Sequence, residues 1–199
     1  VVSLTHAGVE AAKKFSYLQG VRKYFEVIPT CVNLNLFHQE AERFGQANGR
    51  PFTVGIVGSV GIWYLLEEML DCFKRLRALR PDARLVILSR DDQKAIRRCV
   101  AEAGIPLSCV EISAISHAAV PAAMGRMDAG IFLLKQAPSM SGVAPTKLGE
   151  FLACGVPCLS NAGIGDVERI LREEKTGVAL LNFSGEEKKD HREMSTSAW

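Results

Sequence analysis

The chain has 199 residues, of which 48% are hydrophobic and 23% charged. That is the balance of a globular protein with one good core and room for a fragment of a second, and it excludes a disordered chain. A formal net charge of +2 gives no electrostatic case for nucleic acid or for a strongly anionic membrane as partner.

No apolar run reaches the length of a transmembrane helix. No signal peptide is visible, and the start at Val1-Val2-Ser3-Leu4 without Met reads as a fragment of something longer. The cysteines, Cys31, Cys72, Cys99, Cys109, Cys154 and Cys158, are scattered, with no Cys-x-x-Cys and no His cluster at metal-ligand spacing. The expectation is buried, reduced thiols of a cytosolic protein and no metal.

In chain order, residues 1–4 read as a strand, 7–18 as a helix and 24–28 as a strand. Residues 33–50 are polar with weak periodicity and read as a linker. Regular alternation follows. A strand at 52–57 leads through Gly58 and Gly61 into an amphipathic helix at 62–79, with Leu65, Leu66, Met69, Leu70, Phe73 and Leu76 on its buried face. A strand at 84–88 precedes a helix at 91–103, with Asp91 and Asp92 at its start and Gly104 at its stop. A strand at 107–112, a helix at 120–127, a strand at 129–134 and a helix opened by Pro145 come next. A strand at 156–160, a helix at 164–174 and a strand at 178–181 complete the pattern, and the polar tail 182–199 is expected to be poorly ordered.

Apolar strands alternating with helices imply a parallel sheet covered on both faces. Ligands in such sheets bind beyond the carboxyl ends of the strands, near the topological switch point. Two segments lie at strand carboxyl ends and converge there. The first is the glycine loop Gly58-Ser59-Val60-Gly61, whose glycines allow backbone to approach a phosphate or to pack tightly between strand and helix. The second runs from Ser139 to Glu150. In it a small-residue loop meets a Pro-initiated helix whose free N–H groups suit a phosphate. Lys147 near that positive helix end is unfavourable without an anion close by. Glu150, three residues on, shares its face and is placed to accept from ribose hydroxyls.

Pro145-Thr146-Lys147-Leu148-Gly149-Glu150-Phe151-Leu152-Ala153-Cys154-Gly155-Val156-Pro157 resembles the donor-site signature of retaining GT-B glycosyltransferases of the family 4 kind. Glu150 matches the second acid of that signature, whereas the first falls on Gly142. The segment Val27-Ile28-Pro29-Thr30-Cys31-Val32-Asn33 is similar to the hinge into the family's C-terminal domain, with Asn33 where an Asp is usual. Gly55-Ile56-Val57-Gly58-Ser59-Val60-Gly61 is similar to that domain's first strand and loop, although Ser59 and Ile62-Trp63-Tyr64 stand where relatives carry basic residues.

The resemblance implies an α/β fold, a Rossmann-like doubly wound parallel sheet forming the C-terminal half of a GT-B fold. It divides the chain into the end of an acceptor domain (1–32), a linker (33–50), a nucleotide-sugar-binding domain (51–181) and the tail. It implies a retaining glycosyltransferase using a nucleotide-diphosphate sugar as donor, with no further cofactor and no metal. By that resemblance Lys147 and Glu150 would be the catalytic pair, Lys147 against the departing diphosphate and Glu150 on the ribose. Gly58, Ser59, Gly61, Arg90, Ile115, Ser141, Gly142, Val143 and Thr146 are the expected donor contacts. The partners would be the nucleotide sugar and the missing N-terminal acceptor domain. Location would be cytoplasmic, with membrane contact only through the absent half. Alone, this portion is expected to bind with little turnover. The alternatives are a non-catalytic nucleotide-sugar sensor or scaffold, or a sugar-nucleotide epimerase of the same architecture. A nicotinamide-dependent dehydrogenase would want a tighter glycine fingerprint and an acid closing the second strand, which ends Leu88-Ser89-Arg90. Asp128 reads as a structural contact and His117 as a surface residue.

Overall fold

The computed structural model describes residues 1–20, 24–39 and 49–181. Part of the linker and the tail after Leu181 lie outside the described residues. Among the described residues eight strands and six helices follow one another: β1 (Val2–Ser3), α1 (His6–Lys13), β2 (Glu26–Val27), β3 (Thr53–Val57), α2 (Leu66–Leu79), β4 (Arg84–Leu88), α3 (Gln93–Glu102), β5 (Val110–Ser113), α4 (Val120–Met124), β6 (Ala129–Ile131), α5 (Thr146–Ala153), β7 (Cys158–Asn161), α6 (Val167–Glu173) and β8 (Gly177–Leu180).

The six later strands form one parallel sheet in the order β5-β4-β3-β6-β7-β8. Counted from β3, that is the doubly wound order 3-2-1-4-5-6, with its switch point between β3 and β6. The period of two along each strand sends neighbours to opposite faces. Val54 and Ile56 join Met69, Phe73, Ile87 and Val100 beneath α2 and α3. Val57 joins Met124, Phe132, Phe151 and Val167 beneath α4, α5 and α6. Gly55 and Gly130 are partners in the ladder, and a Cβ on Gly130 would stand 2.7 Å from the Phe151 ring. The bare strand there is what lets α5 lie close to the switch point.

Several elements differ from the sequence expectation for tertiary reasons. The second large helix starts at Leu66 rather than at residue 62. Tyr64 forms an antiparallel bridge with Leu134, and the Leu65 N–H donates to the Leu133 carbonyl at 3.0 Å, so the exit of β6 draws these residues out of the helix. Residues 163–166 are not helical. Gly163 and Gly165 have φ of 81° and 42°, and the Gly165 N–H donates to the Met140 carbonyl at 2.8 Å.

The α5 helix ends in a Schellman motif. Gly155 takes φ 68°, its N–H reaches Leu152, and the Val156 N–H reaches Phe151. With Val156 used in the cap and Pro157 unable to donate, β7 begins only at Cys158. The first helix stops at Lys13, followed by a 3-10 turn at Ser16–Leu18. Phe37, in the expected linker, is a core residue at 2% exposure. Of the cysteines, Cys154 and Cys158 are buried whereas Cys31 is exposed, and among the described residues no disulfide forms.

The amino-terminal piece docks against the carboxyl-end loops of the large sheet. The Thr5 hydroxyl donates to the Ser141 carbonyl at 2.6 Å and the Thr30 hydroxyl to the Ala144 carbonyl at 2.9 Å. Asp166 accepts from the His6 and Ala7 N–H groups at 2.9 and 3.0 Å, and the Thr5 hydroxyl accepts from Gly8 at 2.9 Å. These acceptors satisfy the orphan donors at the start of α1.

Candidate functional site

At the carboxyl end of β3 the chain turns at Gly58 with φ 90°, a conformation that favours glycine. The turn also gives Lys147 its place, because a Cβ on Gly58 would meet the lysine Cε at 2.8 Å. Lys147 is only 8% exposed. Its ammonium donates to the Ser59 carbonyl at 3.0 Å and lies 3.5 Å from the centre of the Tyr64 ring. One cation from α5 thus bridges to the loop after β3 and spans the switch point.

Electrostatics follow from this geometry. Burial pulls the Lys147 ammonium down to about 8, against the opposing pull of Glu150 and Asp91. Glu150 is half-buried on the same helix, and burial raises its carboxyl, with His117 and Lys147 pulling it back. Tyr64 is raised by burial and then by the charge of Glu150. Lys147, Tyr64 and Glu150 therefore form one mutually coupled group around the α5 amino end. A buried cation with a depressed pKa beside a helix amino terminus is suited to an anionic ligand.

The expected donor contacts fall into three sets. Gly58 and Ser59 meet Lys147 at the switch point, and Gly61 follows in the same loop beside Ser59 and Asp91. Their polar groups are partly committed: the Gly58 N–H donates to the Leu88 carbonyl at 2.7 Å and the Gly61 N–H to the Ser59 hydroxyl at 3.2 Å. Ser141, Gly142 and Val143 lie in and just after a 3-10 turn, Pro138–Gly142, that leads to α5. There the Val143 N–H is spent on the Met140 carbonyl at 3.1 Å. Thr146 is exposed as the first residue of α5, and Pro145 occupies the cap position before it. Arg90 is exposed on the turn after β4, and Ile115 packs half-buried after β5 against the core beneath α5.

Three functional candidates escaped the sequence reading. Asp91, expected to start a helix, instead accepts from the Ser59 hydroxyl at 2.9 Å and the Val60 N–H at 2.8 Å, while Asp92 caps α3 by accepting from Lys94 at 2.8 Å. The signal was an acid three residues past a strand end, the place where doubly wound folds often carry a ligand contact. Tyr64 gave no signal beyond its place after the glycine loop. Asn161 is fully buried, and its side-chain amide accepts from the Leu134 N–H at 2.9 Å and donates to the Leu134 carbonyl at 3.0 Å. It fixes the point where β6 passes into the loop that feeds α5. Asp128 is the structural contact expected, pairing with Arg50 and accepting from the Thr53 N–H at 2.8 Å. His117 is exposed, edge-on to the Phe37 ring.

With this geometry in view, the family model described as glycosyl transferases group 1 matches residues 38–190. The chain belongs to that family. No curated protein matches it by sequence. Among solved structures it is similar to the sucrose-phosphate synthase of Thermosynechococcus elongatus, at 20% identity and a TM-score of 0.65 over 90% of this chain and 44% of that one. It is also similar to a glycosyltransferase of Rickettsia africae ESF-5, at 12% identity and a TM-score of 0.68 over 92% of this chain and 49% of that one. TarM of S. aureus, solved with fondaparinux, alpha-GlcNAc-glycerol and UDP, aligns at 11% identity and a TM-score of 0.62 over 92% of this chain and 34% of its own.

The group 1 chain described here spans less than half the length of these three structures. Its six-stranded sheet is that of the C-terminal Rossmann-like domain of GT-B glycosyltransferases. Among the described residues no helix is long and apolar enough to cross a membrane.

Proposed function

We propose that residues 51–181 are the donor-binding domain of a retaining glycosyltransferase, which moves a sugar from a nucleotide-diphosphate sugar to an acceptor hydroxyl. The observation that carries this reading is the Lys147 ammonium, buried at the switch point against the glycine loop with Glu150 one turn along the same helix. The likeness to group 1 glycosyltransferases supports it, as does the UDP in the TarM structure.

In the transfer, the bond from the anomeric carbon to the β-phosphate oxygen breaks. A bond from that carbon to the acceptor oxygen forms, and the acceptor proton leaves with the diphosphate. Lys147 and the α5 amino end stabilise the charge that develops on the departing diphosphate. Glu150 accepts from the ribose hydroxyls and so holds the leaving group in line. The reading needs no cofactor beside the donor. Residues 1–32 belong in it to the edge of an acceptor-binding domain, 33–50 to the connection. Turnover therefore requires the full two-domain protein, working in the cytoplasm and touching membrane only through its other half.

Calorimetric titration of this chain with UDP, GDP and ADP and their sugar esters tests the reading. Saturable binding of one nucleotide, lost in Lys147→Ala, is expected. A folded chain that binds none of them overturns it.

A second reading, a nucleotide-sugar sensor without turnover, is favoured by one observation: the Asp91 carboxylate already occupies the Val60 N–H. Sugar transfer by the full-length protein, abolished in Glu150→Ala, would eliminate the sensor.

A further inference from the structure

The loop after β3 is closed from within. Its Gly58 N–H goes to Leu88, its Gly61 N–H to the Ser59 hydroxyl and the Tyr64 N–H to the Gly61 carbonyl. The Val60 N–H and the Ser59 hydroxyl both donate to one oxygen of Asp91, at 2.8 and 2.9 Å. The carboxylate is firmly aimed. Its own N–H donates to the Ser89 hydroxyl at 3.2 Å, and the Gln93 amide ties the Ser89 and Asp91 carbonyls together at 2.7 and 3.1 Å. On the other side of the same loop, the Ser59 carbonyl holds the Lys147 ammonium, and the charge of Asp91 is felt at that ammonium. A carboxylate oxygen here takes the donors that a phosphate oxygen takes in glycine loops of this kind.

We propose that Asp91 is an internal anion that closes the glycine loop and limits the charge of the ligand, so that the site holds a nucleoside diphosphate ester in preference to a free nucleoside diphosphate. The proposal rests on the donor-binding reading and adds a charge filter to it. A sugar ester masks the terminal phosphate. The free diphosphate carries an extra ionisation there, because the second pKa of a phosphate monoester is about 6. Like charge fixed on the loop that lines the site disfavours the more anionic ligand. The donor therefore enters with less charge than the product leaves with, and Asp91 favours product release.

The test is calorimetry of this chain and of Asp91→Asn with a charge ladder: the sugar ester, the free diphosphate and the triphosphate of each of uridine, guanosine and adenosine. Asparagine keeps an acceptor for Ser59 and Val60 and removes the charge. The expected result is a gain of about tenfold for the free diphosphate, more for the triphosphate and less for the ester, as removal of one nearby like charge predicts. Asp91→Ala, which also frees the Val60 N–H, should show the same ordering. Unchanged affinity in Asp91→Asn, or an equal loss across the ladder, makes Asp91 a structural tie and overturns the proposal while leaving the donor-binding reading standing. If neither form binds any nucleotide though both melt cooperatively, that reading fails and the charge filter falls with it.

Discussion

The Lys147 ammonium lies over the Tyr64 ring, 3.5 Å from its centre, which joins the first turn of α5 to the loop after β3 across the switch point of the sheet. The contact gives the ammonium an aromatic face, and the ring shields it from solvent. A partly desolvated cation–π pair is worth about 0.5–2 kcal/mol. Tyr64→Ala should accordingly weaken nucleotide binding by about threefold to thirtyfold, with Tyr64→Phe close to wild type because the ring, not the hydroxyl, faces the ammonium. Calorimetric affinities for the best-bound nucleotide check this.

The depressed pKa of Lys147 makes binding and stability run in opposite directions with pH. The native ammonium loses its proton at about 8, against 10.5 for an unperturbed lysine. Affinity for an anionic ligand is therefore expected to fall as pH rises through about 8. The unfolded chain holds more protons than the native one between these two values, so this group's contribution to stability rises with pH across that window. Urea unfolding of wild type and Lys147→Met between pH 7 and 10 should show the rise only in wild type. The same slope in both would assign it to other groups.

Asn161 carries a structural load that its small side chain hides. Its amide pairs with both backbone groups of Leu134 in a fully buried position. Asn161→Ala strands a buried donor and a buried acceptor, which costs about 2–4 kcal/mol when each is left without a partner. A lowered urea midpoint with an unchanged m-value is the expected result. Loss of nucleotide affinity should accompany it, because Leu134 leads into the loop that feeds α5.

Asp166 ties the start of α1 to the turn that precedes α6. Burial would raise its carboxyl. The His6 and Ala7 N–H groups, the His6 ring and the Arg169 guanidinium outweigh that and hold it at about 2. The stability this gives is full above the ordinary carboxylate value of 3.8 and is lost as pH falls through about 2. Asp166→Ala should cost about 1–2 kcal/mol at neutral pH, as loss of a helix cap does. It should also speed hydrogen exchange at His6 and Ala7, a local effect that a general destabilisation would not confine to α1.

Much of the fold was legible because burial writes a period into the chain. The strand at Arg84–Leu88 matches its expectation residue for residue, and the register of buried side chains in Thr53–Val57 follows from an apolar run between a proline and a glycine. Lys147 stood out as well, since a lysine in the first turn of a helix is an electrostatic anomaly, and the structure buries it against the Ser59 carbonyl and the Tyr64 ring. The helix starts were less so. Leu66 rather than Ile62 begins α2 because Leu133 and Leu134, some 70 residues away, capture the intervening backbone, and no local pattern encodes that competition.

The amino-acid order alone thus specified a parallel α/β sheet, the two loops at its carboxyl edge and the lysine and glutamate of α5. All of these depend on hydrophobic period, helix ends and charge placement within one element. It did not specify which charges would meet. Asp91 and Asp92 are adjacent and chemically identical, yet one caps α3 and the other closes the glycine loop. Lys147 finds its partners in a carbonyl 88 residues earlier and in the Tyr64 ring. Those pairings exist because the sheet order 3-2-1-4-5-6 sets β3, β4 and β6 side by side, and a contact made across strands is a property of the packing that no stretch of sequence contains.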